Sequence, residues 1–365
     1  MKKISLLLIT AALATSLCSC DALSGISMFK KQDNNENIVE MKVVEEVVEE
    51  PVKERIVTIS AVGDCTFATD ANATGKGSFV QEVANVNNDY AHFLSGAKSY
   101  FENDDLTIVN FEGTLSDQGK RQSKQFAFRG DPAYVNILTT SSVEAANLAN
   151  NHSRDYGEVS YTDTVAILEK EGIACFNGTK TAMVEKNGVN IGLVGIYALT
   201  DEGKNQLEPA MEAIKSQNPD LIIVSFHWGK EKAKKPNETQ KTLAHTAVDL
   251  GANLVIGHHP HVLQGIEKYN GAYILYSLGN FSFGGNKNMS DKDSAMFRQS
   301  FTINEEGKVL DNDAVEIIPF SATSTTSRND FHPVPAVGEQ RERIIKKLTQ
   351  YSEALGSDAV LYFGE

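Results

Sequence analysis

The residue types best suited to chemistry collect after apolar, β-branched runs. Gly63-Asp64, Asn110-Phe111-Glu112, Asn150-Asn151-His152, Phe226-His227-Trp228 and Gly257-His258-His259-Pro260-His261 each follow such a run, and they hold five of the chain's eight histidines. Singly, each has an ordinary explanation. An aspartate after a strand caps a helix or shapes a turn, Asn-Asn makes turns, and a histidine before Trp228 fits a core. Together they supply imidazole, carboxylate and carboxamide groups, a mixture that suits divalent Mn, Fe or Zn. Alternation within His258-His259-Pro260-His261 also sets two imidazoles on one side of the chain. The set points to a site for one or two divalent metal ions.

Such motifs meet only if the strands before them lie side by side. Strands are expected at Arg55 to Val62, Leu106 to Asn110, Val143 to Leu148, Ile191 to Ile196, Leu221 to Phe226 and Asn253 to Ile256. Helical spacing of apolar residues separates them at Tyr90 to Phe101, Tyr161 to Glu171, Pro209 to Gln217 and Glu238 to Leu250. This alternation predicts a layered α/β fold, in which the carboxyl ends of the strands line one edge. Asn187-Gly188 and Asn270-Gly271 predict hairpins, and Phe297 to Ile303 with Val309 to Ile318 adds antiparallel pairing. Two mixed sheets flanked by helices, an αββα sandwich with the site at the strand C-terminal edge, accommodate both kinds of pairing. A Ser/Thr-rich stretch then leads to a docked helix from about Gly338 to Leu355.

With Tyr276-Ser277-Leu278-Gly279-Asn280-Phe281, His227-Trp228-Gly229 with Glu231, and Asp155-Tyr156-Gly157, these motifs occur in the order seen in the CapA family. The chain resembles these capsule or poly-γ-glutamate biosynthesis proteins (PgsA-type) over about residues 56 to 320. The resemblance implies a calcineurin-like metallophosphoesterase fold. Carried over, it makes Asp64, Asn151, His227, His259 and His261 metal ligands and His152 a catalytic histidine. Two departures stand out. The superfamily's Asp-x-His reads Asp64-Cys65-Thr66, and its bridging aspartate is replaced by Asn110-Phe111-Glu112, where Glu112 is the bridging candidate and Asn110 its hydrogen-bonding support.

A bridged ion pair lowers the pKa of a shared water and polarises a phosphoryl or carbonyl oxygen, including that of a γ-glutamyl amide. His152 is then placed to protonate the leaving group, with Glu231 as a second acid–base group. Arg129 and Lys230, the latter in a cluster with Lys232, Lys234 and Lys235, are candidates to grip an anionic polymer, and Asn280 to line the site. The expected function is a metal-dependent hydrolase or transferase of capsule or poly-γ-glutamate biosynthesis. A non-catalytic polymer-binding or export subunit and a generic metallophosphoesterase are the alternatives.

Residues 1–20 have the charged, apolar, then small layout of a secretory signal, and Leu17-Cys18-Ser19-Cys20 resembles a lipoprotein lipobox with Cys20 as the lipidated residue. A lipid anchor would hold the protein at the membrane outside the cytosol, in reach of a synthase or export complex. The acidic stretch 21–54 reads as a flexible tether, 55–320 as the domain, and 321–365 as linker and C-terminal helix. The 365 residues carry a net charge of -14 and no basic stripe with interleaved aromatics, which argues against a nucleic-acid partner. Cys65 and Cys175 are expected to be reduced and semi-buried.

Overall fold

The computed structural model describes residues 54–357 and 359–364. The signal segment with Cys20, and the tether up to residue 53, lie outside the described residues.

The β-branched run that opens the domain forms the strand Arg55–Thr66, longer than expected because it continues through Gly63-Asp64. It lies inside an eight-stranded mixed sheet. On one side it pairs in parallel with Leu106–Phe111, which is followed by Ala145–Asn147 and Ala174–Phe176. On the other it pairs antiparallel with Asp293–Ile303, then Val309–Ser321 and Val334–Pro335. Its register with Leu106–Phe111 shifts between Ala61 and Asp64, and beyond the shift it also pairs in parallel with Asn280–Phe283. Gly63 makes that approach possible: a Cβ there would lie 2.3 Å from the Gly279 carbonyl oxygen.

The second sheet has six strands in the order Ile266–Tyr269, Ala272–Leu275, Leu254–His258, Leu221–His227, Val189–Tyr197 and Ala182–Lys186. Its central strands are parallel, and each edge strand is returned antiparallel by the expected Asn-Gly turn. Both residues of each turn have positive φ (Asn187 52°, Gly188 74°; Asn270 46°, Gly271 85°), the I′ geometry that matches strand twist.

Side-chain alternation explains the layering. Val57, Ile59 and Ala61 of the first sheet share one core with Ile191, Leu193, Ile223, Leu254 and Ile256 of the second. The opposite faces carry Val62, Val109 and Ala146 in one case and Val194, Val224 and Val255 in the other, each packed in a core of its own. The helix Leu207–Lys215 buries Leu207, Ala210, Met211 and Ile214, one face at helical spacing. Asn237 and Gln240 form a capping box at the start of Glu238–Asp249. The α/β class, with mixed sheets, is that expected.

Some elements differ. Instead of one helix over Tyr90 to Phe101 there is a 3₁₀ segment Tyr90–Leu94 and a short helix Lys98–Phe101. The interruption falls at Gly96, whose backbone packs so closely that a Cβ would lie 2.3 Å from the Pro333 carbonyl oxygen. A small sheet of Thr69–Asp70, Thr114–Leu115 and Phe128–Gly130 was not anticipated. The C-terminal segment is built into the domain: Val334–Pro335 extends the first sheet, and the helix Gly338–Glu353 places Ile344 and Leu348 in the core between the sheets. Cys65 and Cys175 are free, as expected, but fully buried rather than semi-buried, and burial pushes both thiols up to about 12. No helix among the described residues is long and apolar enough to cross a membrane.

Candidate metal centre

Sheet register brings the motifs together. Asp64 pairs with Asn110 and Asn110 with Asn147 at the end of the first sheet, and His227 pairs with His258 at the end of the second. The loops that follow these positions carry Glu112, Asn151, His152, Glu231, His259 and His261.

Asp64 is completely buried and heavily engaged. It accepts from Asn110 Nδ2 at 2.9 Å and from the His259 backbone N–H at 3.2 Å. Its two oxygens lie 3.1 Å from His258 Nδ1 and 3.0 Å from His261 Nδ1. Burial alone would raise its pKa, but the His258 and His261 contacts hold the carboxyl well below the usual range. Asn147 Nδ2 donates to Asn110 Oδ1 at 3.1 Å, so a chain of carboxamides fixes Asp64 from behind.

Glu112 is equally buried and is the opposite case. Neither carboxylate oxygen has a hydrogen-bond partner among the described residues. Around its Oε1 stand His152 Nε2 at 3.7 Å, His261 Nε2 at 3.8 Å and His227 Nε2 at 4.0 Å. These separations are too long for hydrogen bonds. For His261 and His227 they suit donors that each approach one ion to about 2.0–2.2 Å, with His152 Nε2 standing beside them. Burial, with repulsion from Asp64, Asp155 and Glu231, outweighs the pull of His261 and pushes Glu112 up to about 8. A carboxylate left dry and unpartnered is costly, and a cation beside it removes that cost. The residues present therefore fit a divalent metal.

Asn151 and His227 meet at the same place, Asn151 Oδ1 lying 2.7 Å from His227 Nε2. Burial and the neighbouring histidines hold His227 well below its ordinary pKa, so its ring is neutral and able to act as a ligand. Asp64, Glu112 and His227 offer donor atoms within 4.8 Å of one another, and so do Glu231, His259 and His261. His259 and His261 sit at φ 92° and 56°, backbone that non-glycine residues adopt only when surroundings enforce it. Burial lowers His259 to about 4, whereas Glu112 and Asp64 overcome burial and raise His261 to about 9.

His152 presents Nε2 toward Glu112 because its other nitrogen is held: Nδ1 lies 2.6 Å from Asp155 Oδ2. Asp155 in turn accepts from the Phe128 N–H at 2.6 Å and from Lys124 Nζ at 2.7 Å. Lys124 also donates to the Asn151 carbonyl at 2.7 Å, tying the whole loop. Sequence reasoning quoted Asp155 and His258 in motifs without giving them roles, and it passed over Lys124, whose neighbours Ser123 and Gln125 carry no signal.

The residues expected to touch substrate are placed differently from one another. Asn280 commits its amide to His261, with Oδ1 2.9 Å from Nδ1 and Nδ2 donating to the backbone carbonyl at 3.2 Å. The Arg129 guanidinium stacks over Tyr156 at 4.2 Å, on the small sheet whose Phe128 ring lies 4.3 Å from His152. Lys230 is exposed. Trp228 is a core residue, stacked on Phe226 and donating to the Tyr276 carbonyl at 3.0 Å.

A cluster of carboxylates and imidazoles at the strand ends of an α/β fold defines a candidate metal centre. The chain belongs to the bacterial capsule synthesis protein family PGA_cap, whose profile matches residues 58–285 and so takes in each candidate ligand from Asp64 to His261. It is similar to the PGA biosynthesis protein CapA of Bacillus subtilis (strain 168), 30% identical over 275 residues that make up 69% of this chain and 70% of that one. The capsule biosynthesis protein CapA of Bacillus anthracis is 27% identical over 332 residues, 82% of this chain and 75% of that protein. Among solved structures, a hypothetical protein from Thermus thermophilus is 14% identical with a TM-score of 0.44, covering 72% of this chain and 99% of that one.

Proposed function

We propose that this member of the capsule synthesis family is a metal-dependent hydrolase or transferase that acts on the γ-glutamyl amide of an anionic surface polymer. We further propose that a lipid on Cys20 holds it outside the cytosol, beside a membrane synthase or export complex. The observation that carries the catalytic reading is the buried, partnerless Glu112 carboxylate facing three imidazole nitrogens at 3.7–4.0 Å. Asp64, Glu112, Asn151, His227, His259 and His261 would hold the ions. When bound, such ions supply Lewis acidity toward a carbonyl oxygen and lower the pKa of nearby water.

The chain's own groups supply the rest. Asp155 holds the Nδ1 proton of His152 throughout, so the lone pair at Nε2 is oriented to take a proton from the attacking water and pass it to the departing amine. Arg129 and Lys230 offer positive charge to the polymer's free carboxylates. The test is release of shorter chains from poly-γ-glutamate by the purified full chain with Mn²⁺ or Zn²⁺, compared with Asp64→Ala and His259→Ala. Cleavage that persists undiminished in a chelator overturns the reading.

One feature favours a second reading, a polymer-binding or export subunit without turnover: Thr66 stands where the resemblance places an imidazole, and its buried hydroxyl has no partner among the described residues. That reading expects polymer binding unchanged by chelation and no cleavage of amide or ester.

A further inference from the structure

We infer that Glu231 is a metal ligand, forming with His259 and His261 a second cation position beside the one centred on Glu112. The inference rests on the metal-centre reading above and changes the part given to Glu231, from proton carrier to ligand.

Three observations carry it. First, the donor atoms of Glu231, His259 and His261 lie within 4.8 Å of one another, as a group distinct from Asp64, Glu112 and His227. One carboxylate and two imidazoles are a sufficient protein contribution for Mn²⁺ or Zn²⁺, with water or substrate completing the shell. Second, the group contains an unmet need. His259 is 7% exposed, and its Nδ1 is buried with no partner among the described residues. His261 Nδ1 is occupied by Asp64 and Asn280, which leaves Nε2 as its open nitrogen, 3.8 Å from Glu112.

Third, the loop that bears Glu231 is fastened to the loop that bears the histidines on both sides of it. The Trp228 N–H donates to the His258 carbonyl at 3.1 Å, and the Lys232 N–H donates to the Pro260 carbonyl at 2.8 Å. One residue further on, the Ala233 carbonyl accepts from Gln264 Nε2 at 2.8 Å, and Gln264 is itself held by the buried Gln240 at 3.0 Å. Gly229 and Lys232 take positive φ (78° and 63°) to make the turn between these anchors. Glu231 itself is exposed, and these anchors fix the backbone that carries its carboxylate. Such bracing suits a ligand, because affinity depends on holding the donor in place before the ion arrives.

The experiment is a Mn²⁺ titration of the full chain, read by the fall of the free-ion EPR signal, on wild type, Glu231→Ala, Glu231→Gln and Glu112→Ala, with circular dichroism as the check on folding. The expected result is two equivalents in wild type. Both Glu231 variants should keep one and bind the second at least ~10-fold more weakly. Glu112→Ala should weaken the other position and leave the Glu231-dependent one detectable. Two equivalents of wild-type affinity in both folded Glu231 variants, or a single equivalent in wild type, overturn the inference and leave the Glu112 position standing. No Mn²⁺ bound by wild type at any concentration overturns both. If Glu231→Ala fails to fold, the isosteric Glu231→Gln decides alone.

Discussion

Nδ1 of His152 lies 2.6 Å from Oδ2 of Asp155, a buried carboxylate that also receives the Phe128 N–H and the Lys124 ammonium. The pair fixes which imidazole nitrogen faces Glu112. Burial outweighs Asp155 and lowers the His152 pKa, so the ring is neutral and able to take up a proton.

Asp155→Asn should therefore lower turnover on poly-γ-glutamate by about 10²–10⁴-fold, the usual range for loss of general acid–base help. His152→Ala should fall in the same range, and the double variant should be no worse than either. Metal content measured on the same samples should stay at the wild-type level in Asp155→Asn. Loss of metal there would make the pair structural support instead.

On the metal-centre proposal, removing the ion should destabilise the protein, since an ion bound to the folded chain would relieve Glu112, which has no hydrogen-bond partner among the described residues. Saturation at about 100 times the dissociation constant corresponds to roughly 2.7 kcal/mol. Thermal melting with and without chelator reads this directly. The chelator-induced fall in Tm should shrink in Glu112→Gln, whose carboxamide leaves no buried charge to compensate. An equal fall in the variant would mean that the stabilising ion sits elsewhere.

Gly63→Ala should cost about 1–3 kcal/mol, because the added methyl meets a carbonyl rather than a yielding side chain. The Asp64 N–H donates to the same Gly279 carbonyl at 2.9 Å, so the distortion reaches a candidate ligand and metal affinity should fall with stability. Urea unfolding and metal titration check the two effects. A wild-type midpoint would contradict the close approach.

Asp293 anchors the C-terminal helix through Arg343 and Lys347 at 2.7 Å each, and although burial raises its pKa these partners hold it below the ordinary 3.8. A carboxyl whose folded pKa is depressed stabilises above its unfolded value, and that stability is lost as pH falls through the folded value. Asp293→Asn should thus lose about 1–3 kcal/mol at neutral pH and show a flatter loss of stability below about pH 4. Unfolding curves from pH 7 to pH 2 measure both.

Native Cys65 and Cys175 should resist alkylation, since burial pushes each thiol up to about 12 and leaves almost no thiolate at pH 8. Peptide mapping after iodoacetamide should find both labelled only in the unfolded chain. Rapid native labelling at Cys65 would mean that the core around it opens.

Strand content and the clustering of polar motifs at the strand ends were legible because both are written in local patterns. β-branched runs gave the sheet strands, Asn-Gly the two hairpins, and polar residues after apolar runs gave Asp64, Glu112, Asn151, His227, His259 and His261. The split of the Tyr90 to Phe101 helix was not, because it depends on Gly96 meeting the backbone of Pro333 far along the chain. Asp155 and Lys124 were missed for a similar reason. Their importance lies in hydrogen bonds to His152 and Asn151, and neither spacing nor residue type announces a partner across a loop. Asn280 is read from sequence as lining the site, and the structure shows its amide engaged on His261.

The most direct test of the metal centre is elemental analysis of the purified full chain, before and after reconstitution with Mn²⁺ or Zn²⁺, beside Glu112→Ala and His259→Ala. The predicted result is one to two equivalents of transition metal in wild type, reduced in both variants while each stays folded. A wild type that holds no metal after reconstitution, or variants that hold as much as wild type, would contradict it.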